Sequence, residues 1–188
     1  MSVLAVVVAS GCAAPSFVQP RAGDAVQTGA SVVPGFVGPT GMPELTRAAI
    51  DGFPEPLPEG VSWSAAPIHL WRDDPQAAIE DSVPEVGVAE YWLCTWMRDY
   101  LGAVDAGDQP RADLAMSQLG KYPSLPAIIA DNPNPKAFSA SVLQPARMGD
   151  TRMLREFFTT CRSLSVAADG TPTLTKMAPT SPDSAQRG

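Results

Sequence analysis

Basic residues are scarce in this chain: 13 Lys and Arg stand against 20 Asp and Glu, for a net charge of -7. Only Lys121, Lys136 and Lys176 are lysines, and the arginines are scattered without a stripe. That excludes the electrostatic footprint of a nucleic-acid binder. It also argues against attachment to anionic lipid through a polybasic segment. Histidine is rarer still, with His69 alone. In "IHLWRDD" it stands close to Asp73 and Asp74, the one place in the chain that invites a general-base or metal reading. A catalytic triad also needs a positioned nucleophile, and no G-x-S-x-G elbow is present. Phosphate loops and dinucleotide fingerprints are missing, and the G-x-x-G of Gly35 to Gly38 lies in a linker. No C-x-x-C supplies a closed metal site. No cofactor, metal or nucleic-acid partner is therefore expected. A hydrolase or metal-dependent enzyme built on His69, Asp73 and Asp74 is the alternative to a non-enzymatic module.

What the chain does have begins at its start. Residues 3 to 9, Val-Leu-Ala-Val-Val-Val-Ala, form an uncharged apolar run. It is far short of the roughly 20 residues that span a bilayer. It has the length of a signal-peptide h-region, and a Pro- and Gly-rich stretch follows it directly. The run ends in Ala9-Ser10-Gly11-Cys12, which resembles the lipobox of bacterial lipoproteins. The resemblance implies cleavage before Cys12, lipidation of its thiol and anchoring to the cell membrane on the extracytoplasmic side. Two features depart from the pattern. Ala9 stands where the family most often has Leu, and no positive charge precedes the run. Either the start lies upstream of Met1 or the run is a strand of the fold, in which case the protein is cytoplasmic. In composition and layout the remainder resembles small, functionally unassigned lipoproteins of high-GC Gram-positive bacteria. The partners implied are the membrane, through the N-terminal lipid, and an envelope protein, peptide or glycan.

The 20 prolines fall mostly in residues 15 to 84 and 123 to 145. Proline breaks helix interiors, so the long helices belong between Pro84 and Pro123 and in the Pro-free stretch from Ala146 to Thr171. Residues 1–11 read as a signal-like segment, 12–41 as a flexible tether, 42–165 as the folded domain and 166–188 as a disordered tail. Within the domain, "PELTRAAID" suits a short helix ending before Gly52. "FPEPLPEG" favours polyproline II. Val61 to Ser64 suggests a short strand, and Asp74-Pro75 opens another short helix, "PQAAIED". Ser82-Val-Pro-Glu85 matches a capping box opening a helix to about Ala106. Its apolar residues recur three and four apart, from Val86 through Leu93, Trp96, Met97, Tyr100 and Leu101. Tyr91, Trp92 and Cys94 widen that stripe, so the helix should be buried on more than one side. Gly107-Asp108 punctuates it and caps the next helix, giving an αα-hairpin over about 83–121. Gly149-Asp150 repeats the signal before a C-terminal helix over about 151–164, with Leu154, Phe157, Phe158, Cys161 and Leu164 as its stripe. The fold class is mainly α: a small helical bundle behind a long irregular N-terminal region.

Two groups of residues bear on function. If Cys12 is lipidated, Cys94 and Cys161 remain as an even pair in an oxidising compartment and are expected to form a disulfide. The aromatic cluster "EYWLCTWMRDY" reads mainly as core, since aromatic stripes at helical spacing pack inward. Trp92 is the member expected to face out, and so the candidate for stacking on a ligand.

Overall fold

The computed structural model describes residues 34–67, 77–166, 168 and 172–179. Its elements, in chain order, are β1 (Phe36–Val37), α1 (Met42–Asp51), a 3-10 turn (Trp63–Ala65), β2 (Ile79–Glu80), α2 (Val83–Ala106) and α3 (Gln109–Leu119). A second 3-10 turn (Tyr122–Ser124) leads to α4 (Pro126–Asp131). Beyond Asn132 come α5 (Lys136–Phe138), a π turn (Ser139–Leu143), α6 (Gln144–Arg147), α7 (Arg152–Phe158), β3 (Arg162–Val166) and β4 (Pro172–Lys176). The chain is mainly helical, a small bundle built on α2.

Between Val88 and Met97, α2 buries Val88, Ala89, Tyr91, Trp92, Leu93, Thr95, Trp96 and Met97. These positions run round most of the helix, as expected of a central helix packed on several sides. α3 folds back on it as the second arm of an αα-hairpin. The junction is local chemistry: Gly107 takes the left-handed conformation at φ 68°, and Asp108 Oδ1 accepts the Arg111 N–H at 3.2 Å. The Arg111 guanidinium also pairs with Asp99 across the hairpin. α1, α4, α7 and β3 pack on further sides of α2.

The proline-rich segment after α1 is held by donors on α2. Extended backbone of this kind has no internal hydrogen bonds, so its carbonyls need outside partners. The indole N–H groups of Trp92 and Trp96 both donate to the Pro56 carbonyl, at 2.8 and 3.0 Å. Tyr91 donates to the Ser62 carbonyl at 2.9 Å. Phe53 and Trp63 pack edge-on at 5.5 Å, and each also meets a ring of α2.

Several expectations are corrected. The C-terminal helix stops at Phe158, and Arg162–Val166 is instead a strand paired antiparallel with Pro172–Lys176. Residues 172–176, expected in a disordered tail, are thus the partner of β3, and Met177 beyond them is buried. The alternation of Ser and Thr with other residues explains the pairing: Ser163 faces Thr175 and Ser165 faces Thr173, with their hydroxyls hydrogen-bonded across the strands. Phe36–Val37, assigned to the tether, pairs with Ile79–Glu80. Ile79 and Glu80, expected in a short helix, are that strand. Val61 to Ser64, expected as a strand, leads into the 3-10 turn. Ser82 occupies the N-cap position of α2 but makes no side-chain cap bond. Among the residues expected in the core, Phe157 is 38% exposed.

Candidate functional site: an acidic cleft beside the disulfide

One face of α2 is left uncovered. Val83, Val86, Gly87, Glu90 and Cys94 recur three and four residues apart, so they lie along one stripe. They form one wall of a cleft of about 390 Å³. Facing them are Tyr122 from the turn after α3, Asp131 at the end of α4, Phe157 of α7 and the Thr160–Arg162 segment, with Glu80 of β2 at the side. The volume lies in the range of small-ligand sites. Cys94 and Cys161 are joined by a disulfide, Cα–Cα 5.6 Å, and both line the cleft. The bridge therefore ties the α2 wall directly to the facing one. A smaller lobe of about 220 Å³ continues past Glu80, Ser82 and Asp131 to Glu85. Ser82, which forgoes its capping bond, lines both lobes.

The aromatic wall is fixed by stacking. Phe138 lies edge-on to Tyr122 at 5.4 Å and to Phe157 at 5.0 Å. Tyr122 is 9% exposed, and its hydroxyl has no hydrogen-bond partner among the described residues. Burial, together with the negative charges of Glu90 and Asp131, pushes its pKa up to about 12, so it stays a neutral phenol. Glu90 is exposed to solvent at the wall of the cleft. The protein around its carboxyl nonetheless raises its pKa, first by desolvation and then by repulsion from Asp131.

The raised pKa of Glu90 has a stability consequence. The folded state holds this proton more tightly than the unfolded chain, whose value is near 4.5. The cost of the carboxylate is therefore absent below that pH and develops fully as pH rises through the folded-state value. Glu90→Gln is expected to raise the melting temperature at pH 7 by about 1–2 °C, a gain discounted for the exposure of the side chain. Scans at pH 7 and pH 4 check this: the gain should disappear at the lower pH.

The expected site residues are distributed as follows. Cys94 and Cys161 meet, as the cysteine count anticipated. Trp92 does not face out. It is fully buried with its indole bonded to Pro56, so it offers no surface for stacking. Hydrogen bonding of the indole to the proline-rich segment turned it inward. Cys12, His69, Asp73 and Asp74 lie outside the described residues. Glu90, Tyr122 and Asp131 were missed. One signal was available: Glu90 interrupts the stripe from Val86 to Cys94, where a charge has no place in an ordinary core face.

Among the described residues, no group of three or more His, Cys, Asp or Glu is arranged to hold a metal ion. No helix there is long and apolar enough to cross a membrane. Fold and site together define a disulfide-stapled helical domain with an acidic, aromatic-walled cleft. Comparison with protein-family models, curated proteins and solved structures finds no match for the chain.

Proposed function

We propose that the protein is a lipid-anchored, extracytoplasmic binding module, with Cys12 as the lipidated residue and the cleft beside the disulfide as its binding site. The observation that carries this reading is the Cys94–Cys161 bridge. Structural disulfides persist in oxidising compartments and are rare in the cytosol. The bridge uses two of the three cysteines and leaves Cys12, in its lipobox-like setting, as the third. A binding role rather than a catalytic one fits the walls of the cleft. Carboxylates and a neutral phenol converge there without a nucleophile and base in hydrogen-bond contact among the described residues.

Fractionation and intact mass of the native chain and of a Cys12→Ala form test the reading. The native protein is expected in the membrane fraction, cleaved before Cys12 and heavier by a diacylglyceryl group. The Cys12→Ala form is expected to lose both the added mass and the anchoring. A native chain that is soluble, full-length and unlipidated would overturn the anchoring.

A further inference from the structure

The cleft has a charge pattern that selects among ligands. Its carboxylates, Glu80, Glu90 and Asp131, form no ion pair among the described residues. Among the described residues, the one basic residue lining the cleft, Arg162, turns its Nη1 to the carbonyls of Thr159 and Cys161, at 2.7 and 2.9 Å. An anion would meet three carboxylates with little compensation. Among the described residues, no three His, Cys, Asp or Glu gather closely enough to hold a metal ion.

The second observation is Tyr122. Its side chain is about nine-tenths buried, it lines the cleft, and its hydroxyl is unpartnered. Its hydroxyl is not among the sealed, unpartnered polar atoms, so it keeps access to solvent, and the residue lines the cleft. A hydroxyl without a protein partner at the wall of a cleft is free to accept a hydrogen bond from a donor bound there. Beside it, Tyr122 and the part-exposed Phe157 present aromatic surface, and Val83 and Val86 supply aliphatic surface. Aromatic faces attract cations, and the aliphatic wall suits a methylene arm.

Resting on the reading of the cleft as a binding site, we propose that it takes an organic cation: a protonated amine or guanidinium on an apolar arm, its charge between Glu90 and Asp131 and its donors reaching the Tyr122 hydroxyl. Such a group comes either from a small alkylamine or from a Lys or Arg side chain of a peptide.

The test is a titration of the full chain, disulfide intact, followed by the amide shifts of Val86, Gly87, Glu90 and Cys161. The probes are agmatine, the blocked peptide Gly-Arg-Gly, the same peptide with uncharged citrulline or with Glu in the centre, and calcium chloride. Agmatine or the Arg peptide is expected to shift these amides with an affinity that weakens as salt is added. The citrulline peptide, the Glu peptide and calcium are expected to leave them unmoved. The stronger of the two cationic probes identifies the source. The double variant Glu90→Gln/Asp131→Asn should weaken binding about tenfold, and Tyr122→Phe about threefold, in line with part-exposed charged contacts. The melting temperature of each variant shows whether it is folded. Citrulline binding as well as Arg, the Glu peptide binding instead, an unaffected double variant, or no shift with any probe at about 10 mM overturns the cation assignment. Citrulline or Glu binding at these amides would leave the cleft a binding site with another ligand. Failure of the membrane fractionation would remove the anchor without touching the cleft's preference.

Discussion

Replacement of both Cys94 and Cys161 by Ala lowers the melting temperature by about 8–16 °C. The bridge closes a loop across most of the helical domain, with a sequence separation of 67. On the chain-entropy model, a closed loop of that size restricts the unfolded chain enough to contribute about 4 kcal/mol. For a chain of this length each kcal/mol shifts the midpoint by about 2–4 °C. The loss should fall unevenly. Cys161 sits between α7 and β3, and its carbonyl accepts the Met177 N–H at 3.2 Å. The β3–β4 hairpin is otherwise lightly held: Leu174 is 50% exposed, and Met177 supplies its buried anchor. Without the bridge, the hairpin is the first part expected to detach. Calorimetry of the double variant gives the midpoint, and hydrogen exchange of the 162–166 and 172–177 amides gives the order of opening. A midpoint within a degree or two of wild type would show that packing alone holds the two walls together.

Trp92→Ala is the second large effect, at about 4 kcal/mol by denaturant midpoint, the range for deleting a large buried aromatic side chain. Trp92 is fully buried at the centre of α2 and lies 5.9 Å from Phe53. Its removal leaves a void against the proline-rich segment. Trp92→Phe separates packing from hydrogen bonding. It keeps most of the apolar surface and removes the donor to Pro56. Trp96 still donates to the same carbonyl, so no acceptor is left orphaned. The Phe variant is therefore expected to cost about 1–2 kcal/mol, well short of the Ala variant. Equal losses would mean that the indole bond, rather than the filled volume, fixes the segment on α2.

The helical hairpin was legible because its signals are local. Gly107 and Asp108 act within four residues of themselves: one relieves a left-handed backbone, the other accepts the N–H of Arg111. The capping-box pattern at Ser82 marked the start of α2 correctly, although the Ser82 side chain makes no cap bond. The C-terminal element misled. Cys161 and Leu164 stand three apart, which fits a helix, yet the Ser and Thr residues around Leu164 and Leu174 alternate in the period of a strand. The strand reading needed its partner at 172–176, in a segment whose composition suggested disorder.

By itself the sequence determined the mainly helical class, the αα-hairpin and the central place of the α2 helix, while Cys94–Cys161 was the expected pair only on the reading that removes Cys12 from the count. Periodicity and punctuation by Gly and Asp were enough for the helices, since each depends on neighbours in the chain. Only the tertiary structure decided which way Trp92 faces. A helix apolar on several sides gives no single direction until α1 and the proline-rich segment dock against it. Only the tertiary structure made a site, too. Glu80, Glu90, Tyr122 and Asp131 come from four separate segments and share no motif. Their charges and the free phenol acquire meaning when α2, α4 and α7 enclose one volume, because field and desolvation depend on distance in space and not along the chain.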